Sequence, residues 1–402
     1  MRYWDALFAF LVAMAIAAVL TPFAGKLARR VGAVVTPSER GLAERDTPAL
    51  GGVAILAGVL VASAFWLPST INLRHTLGTA PGSGGTVHTA GLLAGACLIT
   101  LIGAIDDAHP LRPQWKLLGQ IAVAVIAVEA GAVVTDVTIP FVGTLQLPNT
   151  GGVLTVIWLV GLMNVVNFSD GVDGLAAGLC TIDGIAFAII AFDLHIGGAG
   201  VLAALTAGAA LGFLFHNFPP ASIFMGDSGA NLLGYLLGVV AVIGSVKTGA
   251  VVALMVPLIV LAVPFLDTGF VVAKRLKYKR KPWDADANHF HHRMARMGYS
   301  RRRTVAYLYG WTLMLAGVAV ALRFIPYSNH HGTYHLGWAL VMGAIVLVAL
   351  AASVYLIYLL EILKFRSRRT REIKTAEPDT SENEINQRIQ REVETGEFER
   401  VG

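Results

Sequence analysis

The stretch GGVLTVIWLVGLMNVV (residues 151–166), NFSDGVD (167–173), GLAAGLCTIDGIAFAIIAF (174–192) decides how the chain is read. Two long apolar runs flank a short segment in which Asn167, Asp170 and Asp173 stand beside glycines. Each run approaches the ~20 residues that carry a helix across a bilayer. The same alternation continues in both directions. The chain is 55% hydrophobic and only 14% charged, where a soluble protein carries roughly 25% charged residues. The pattern predicts an all-α polytopic membrane protein with eleven spans, at 5–23, 51–67, 88–105, 114–131, 151–166, 174–192, 198–215, 229–246, 249–271, 304–323 and 336–360. Residues 1–363 form one membrane domain. Residues 364–402 are a tail of densely mixed charge, helical or disordered, with no catalytic role assigned.

Lys and Arg set the expected orientation. Lys26, Arg29, Arg30, Arg40 and Arg45 fall on the same side as Lys274–Lys281 and Arg301–Arg303, and the other side has little beyond Arg74, Lys247 and Arg323. By the positive-inside rule the first set is cytoplasmic, so the N-terminus is outside and the C-terminus inside. Lys26, Arg29 and Arg30 follow the first apolar run, the reverse of the order in a signal peptide, so that span is expected to be retained. Outside the membrane, residues 68–87 are rich in Gly, Thr and Pro and predict a flexible loop. VVTDVTIPFVGTLQLP (133–148) predicts a small β-hairpin. Cys97 and Cys180 lie inside apolar runs. They are expected to be packed thiols and cannot build a disulfide framework or zinc knuckle.

Acidic residues are scarce in the membrane domain and fall at the expected cytoplasmic ends of spans, the side that receives nucleotide-activated substrates. The first cluster is IDDAHPLRPQWK (105–116). Asp106 and Asp107 end a helix, where negative charge is unfavourable unless a cation compensates; a divalent metal would. Lys116, one turn into the next span, suits a phosphate. The plainer alternative makes one of the two aspartates a cap of the fourth helix. The second cluster, NVVNFSDGVDGL (164–175), sets Asp170 and Asp173 each before a glycine, with helix N-terminal amides following that favour an anion. The third is NFPPASIFMGDSGAN (217–231). Asp227 suits Mg²⁺, which takes one or two carboxylates plus waters and phosphate oxygens. Phe224 suits stacking on a nucleobase or interfacial packing. Gly-Asp-Ser-Gly lacks the strand–turn–helix context of a serine nucleophile. The fourth cluster is NHFHHRM (288–294). Its histidines would need Asp284 or Asp286 to complete a zinc site. His289, His291, His292 and Arg293 suit a sugar or a pyrophosphate better, Arg being the stronger phosphate fork.

Taken together, in this order and spacing, the clusters resemble the polyprenyl-phosphate N-acetylhexosamine-1-phosphate transferases. The resemblance runs from TPALGG (47–52) to the His cluster, and HFHHR is similar to the branch that handles GlcNAc 1-phosphate. It implies transfer of GlcNAc 1-phosphate from UDP-GlcNAc to undecaprenyl or another polyprenyl phosphate, giving polyprenyl-PP-GlcNAc and UMP, as the first step of a cell-envelope glycan such as lipopolysaccharide or teichoic acid. It implies Mg²⁺, with Mn²⁺ able to substitute, at Asp107 and Asp227. Asp106 would orient or deprotonate the lipid phosphate, and Asn167, Asp170, Asp173, Asn217 and Phe224 would line the uridine side. The implied partners are the UDP-sugar, the polyprenyl phosphate and the bilayer, with a homodimer left open and no nucleic acid. The implied location is the bacterial inner membrane, with the site on its cytoplasmic face. Three positions depart from the pattern: Ala230 where Ser is frequent, Met294 where Leu is usual, and a segment Arg40–Asp46 that lacks a frequent His. The alternatives are the phospho-MurNAc-pentapeptide transferases of the same superfamily and, from another class, a secondary transporter. A transporter would set its acids near the midplane, often within internal repeats. Here they gather at one face and no repeat is found.

Overall fold

The apolar runs form helices in the computed structural model, which describes residues 3–36, 45–72, 85–139, 143–147, 150–245, 262, 300–325, 336–358, 370, 373–378 and 380–395. The first, α1 (Tyr3–Val31), buries a stripe of small residues, Ala6, Ala9, Ala13, Ala17, Thr21, Ala24 and Ala28. The opposite face exposes Tyr3, Trp4, Leu7, Phe8 and Leu11. Small residues let helix backbones approach where the hydrophobic effect drives little association. α2 (Gly51–Trp66) and α7 (Gly197–Asn217) pack on that stripe. A Cβ on Gly208 or Gly212 of α7 would lie 2.1 Å from a backbone oxygen of α1.

α8 (Gly226–Ser245) lies at the centre, with α2, α3 (Thr89–Ala108), α5 (Gly151–Ser169), α6 (Leu175–Asp193) and α7 around it. Leu232, Leu233, Tyr235, Leu236, Leu237 and Val239 are each 0% exposed. α4 (Pro113–Glu129) packs on α3 and α5, and α9 (Arg301–Phe324) on α6 and α10 (Leu336–Tyr358). Among the described residues, eight helices are long and apolar enough to cross a membrane, and α2 is a shorter apolar helix. The chain is a multi-pass membrane protein. The expected span at 249–271 lies outside the described residues apart from residue 262.

The connections differ in part from expectation. β1 (Val34–Val35) pairs antiparallel with β2 (Thr47–Pro48), a contact nothing in the sequence announced. The expected flexible loop at 68–87 has structured ends: β3 (Thr70–Asn72) and β4 (Thr86–His88) pair antiparallel, with Ile71 and Val87 buried. Only two β-formers stand at each end, Thr70 with Ile71 and Thr86 with Val87, too few to outweigh the Gly-rich middle in the sequence. β5 (Asp136–Ile139) and β6 (Gly143–Gln146) form a hairpin within 133–148, in the register Asp136↔Gln146. Cys180 is packed as expected, but Cys97 is exposed. Its positions on α3, four residues apart from Leu101 and then Ile105, form one outward stripe. In the tail, α11 (Glu382–Thr395) starts with a reciprocal cap: Ser381 Oγ accepts from the Glu384 amide, and Glu384 accepts from the Ser381 amide at 3.2 Å.

Candidate active site

Three helix termini meet around Asp227. The first is the C-terminus of α3, which brings Asp106 and Asp107. Asp107 reaches across to the start of α8, accepting the amides of Asp227 at 2.7 Å and Ser228 at 3.2 Å. An acid that is unfavourable at its own helix end thereby meets the favourable end of another. Gly226 makes the approach possible. Its φ is +71°, and a Cβ there would lie 2.4 Å from the Asp107 carboxylate. The capping role expected for one of this pair thus exists, but for α8 and not α4, whose N-cap Arg112 makes no side-chain cap.

The second element is α4. Lys116 points its ammonium between two carboxylates, 2.5 Å from Asp106 Oδ2 and 2.8 Å from Asp227 Oδ2. Asp106 is 8% exposed and also accepts the Leu111 amide at 2.6 Å. From the third, the C-terminal turn of α5, Asn167 Nδ2 donates to Asp227 Oδ1 at 2.9 Å. Both oxygens of Asp227 therefore have partners, and its side chain remains 25% exposed. Asp170 caps the C-terminus of α5. Burial first, then the carboxylates of Asp227, Asp107 and Asp173, push its carboxyl well above the usual carboxylate range.

The remaining predicted residues build the frame. Asp173 accepts the Ala221 amide at 3.1 Å and pairs with Arg301 at 3.2 Å. Asn217, 1% exposed, accepts the Gly174 amide and donates to the Ile223 carbonyl, both at 2.9 Å. These bonds tie the turn after α5 to the loop before α8. Phe224 is half-buried, and its backbone pairs with TPALGG: it donates to the Pro48 carbonyl at 2.8 Å and accepts from Gly51 at 3.1 Å. His289, His291, His292 and Arg293 lie outside the described residues.

Sequence reasoning left out Gln120 and read Arg301 and Arg302 only as orientation signals. Arg302 Nε donates to the Pro219 carbonyl at 3.0 Å, so α9 is anchored to the same loops. One signal was visible: arginines in the first turn of a helix oppose its dipole, so their placement calls for anionic or carbonyl partners.

The fold and site define a polytopic membrane protein whose helix termini gather four aspartates and a lysine at one end of the bundle. The sequence comparisons place that class. The family model for glycosyl transferase family 4 matches residues 89–245. The chain is 34% identical over 323 residues to a probable undecaprenyl-phosphate N-acetylglucosaminyl 1-phosphate transferase of Bacillus subtilis, covering 78% of this chain and 84% of that one. It is 37% identical over 368 residues to a decaprenyl-phosphate N-acetylglucosaminephosphotransferase of Mycobacterium leprae, covering 85% and 89%. A phospho-N-acetylmuramoyl-pentapeptide-transferase of Desulforamulus reducens is 32% identical over 309 residues, covering 70% and 84%. The chain belongs to glycosyl transferase family 4.

Proposed function

We propose that this protein transfers GlcNAc 1-phosphate from UDP-GlcNAc to a polyprenyl phosphate such as undecaprenyl phosphate, releasing UMP and opening the synthesis of a cell-envelope glycan. The observation that carries the reading is the Asp106–Lys116–Asp227 centre, with Asn167 on its far side. A reaction between two anions needs that kind of centre, because charge must be neutralised while a lipid-phosphate oxygen attacks the β-phosphorus and the bond to UMP breaks. The lipid phosphate is already largely ionised near neutral pH, its second pKa being about 6. Asp106 therefore serves chiefly to orient it, and Lys116 to neutralise phosphate oxygens.

The donor set fits a hard divalent cation, Mg²⁺ or Mn²⁺. Asp106 and Asp227 share the one ammonium of Lys116, and Asp107 lies beside them, bonded to the first turn of α8, so carboxylates outnumber the cation at the centre. Among the described residues no three His, Cys, Asp or Glu side chains close into a ready-made site. That suits Mg²⁺, which completes its shell with water and phosphate oxygens. Asp227 and Asp107 would hold it, and it would supply charge neutralisation at the transferring phosphoryl group. Asn167, Asp170, Asp173, Asn217 and Phe224 would form or frame the uridine side. The His loop would cover the sugar pyrophosphate. Eleven spans, an outside N-terminus, a bacterial inner membrane and a cytoplasmic-facing site complete the reading, supported by the Lys and Arg asymmetry.

The GlcNAc branch is favoured by HFHHR and by the higher identity of the GlcNAc relatives, 34% and 37% against 32% for the pentapeptide transferase. The test is a panel of UDP-sugars with purified protein, Mg²⁺ and a short polyprenyl phosphate. UMP release is expected with UDP-GlcNAc and not with UDP-MurNAc-pentapeptide. Use of the pentapeptide donor at least as well as UDP-GlcNAc would move the protein to the other branch. Absence of UMP–UDP-sugar exchange would favour a transporter. Phe224→Ala is expected to raise the KM for UDP-GlcNAc about tenfold, the loss of a base–aromatic stack worth ~1–3 kcal/mol. The KM for lipid phosphate should hardly change. Equal effects on both substrates would reduce Phe224 to packing.

A further inference from the structure

Three of the helices that bring polar groups to the site, α4, α5 and α8, also carry an amide side chain one turn away on the same face. On α4 Gln120 lies four residues after Lys116, on α8 Asn231 lies four after Asp227, and on α5 Asn164 lies three before Asn167. At those spacings helix residues stack on one face. The second set makes its own connected layer. Asn164 Nδ2 donates to Gln120 Oε1, Gln120 Nε2 donates to Asn231 Oδ1, and Asn231 Nδ2 donates to the Asp227 carbonyl, each at 2.8 Å. Gln120 is 5% exposed and Asn231 6%.

We infer that this buried amide layer, with Gln120 as its hub, is a positioning device for the reaction: it fixes the rotation of α4, α5 and α8, and so places Lys116 and Asn167 on Asp227. The inference rests on the proposed transferase reading. Its physical basis is directionality. Around the layer the helices meet through buried apolar residues such as Leu162, Met163 and Leu233, whose attraction is non-directional. Hydrogen bonds among amides away from water have no competing solvent partner, so they select one rotation and register. Because a helix turns as a body, a rotation that breaks the lower layer also draws Lys116 away from Asp227. The layer is buried one turn below the site residues, so its removal should alter the transition state more than either binding step. Misplacement of ~1 Å can cost about 10²-fold.

The test uses Gln120→Met, which keeps length and approximate volume without hydrogen bonding, and Asn231→Leu as a second route to the same loss. Three readouts are taken on the purified full chain. These are kcat with both KM values, the melting temperature, and the rate at which an amine-acylating reagent modifies Lys116 relative to exposed Lys26. The expected result is a fall in kcat of about 10²-fold, near-constant KM for both substrates, and faster modification of Lys116 relative to Lys26. A merely structural layer would lower the melting temperature and leave kcat and the Lys116 ratio at wild-type values; that result overturns the inference. If the wild type transfers from no UDP-sugar, the functional reading fails by itself. The Lys116 ratio then still decides whether the layer holds the lysine in place.

Discussion

Asp227→Asn is expected to lower turnover by about 10³-fold, the scale seen when one charged or donating group is removed from a preorganised site, and to leave the protein folded. The substitution keeps the shape of the side chain. Its carbonyl oxygen can still accept from Asn167, and its backbone amide still caps against Asp107. What disappears is the negative charge that Lys116 shares between Asp227 and Asp106. With that charge absent, the lysine pairs with Asp106 alone and competes for the group that should orient the lipid phosphate. A bound cation would lose a ligand as well. The measurement is kcat at saturating Mg²⁺ together with the melting temperature in detergent. Full activity of the variant in excess EDTA would end both the metal assignment and the central role of Asp227.

The second large effect is expected at a position without chemistry. Gly52→Ala places a Cβ 2.2 Å from the Gly229 nitrogen and 2.3 Å from the Ser228 carbonyl carbon. Both are backbone atoms, so no side-chain rotation relieves the overlap and α2 must move away from α8. On the other side of the same turn, Gly103 of α3 would set a Cβ 2.4 Å from the Ser228 Cα. The first turn of α8, which carries Asp227, is thus clamped between two glycines. Overpacking of this kind costs about 1–3 kcal/mol, and more where backbone must shift. The variant should therefore melt earlier and lose most of its activity. Gly161→Ala in α5 is the control, since a Cβ there meets nothing within 4 Å. It should be neutral or gain up to ~1 kcal/mol from helix propensity. Matching behaviour of the two variants would refute the clamp.

Several features of the site were legible before any coordinates. Asp106, Asp107, Lys116, Asn167, Asp170 and Asp227 were singled out as scarce polar residues at the ends of apolar runs, and the structure brings these six to one end of the bundle. A membrane makes such residues informative, because polar groups that lack a structural partner there are costly. Asp173 and Asn217 were singled out for the uridine side, but the groups they bond to in the fold were not legible. Their partners are Ala221, Arg301, Gly174 and Ile223. Most of these are backbone groups, and backbone groups carry no sequence signature. Gln120 was passed over because one amide within an apolar run looks unremarkable until its two partners on other helices are known.

By itself, the sequence determined that the chain is a helical multi-pass membrane protein and which few residues are polar enough to do chemistry. Hydropathy, helix length and glycine placement are local properties, written along the chain. Only the tertiary structure decided that Asp107 caps α8, that Lys116 stands between Asp106 and Asp227, and that TPALGG braces the Phe224 loop. It also decided that the ends of 68–87 pair as strands and that Cys97 faces outward. Each of these depends on how helices are rotated and how closely they approach. In this protein that is set by glycine contacts such as Gly52 on Gly229 and by hydrogen bonds between residues more than a hundred positions apart, as in Lys116 with Asp227.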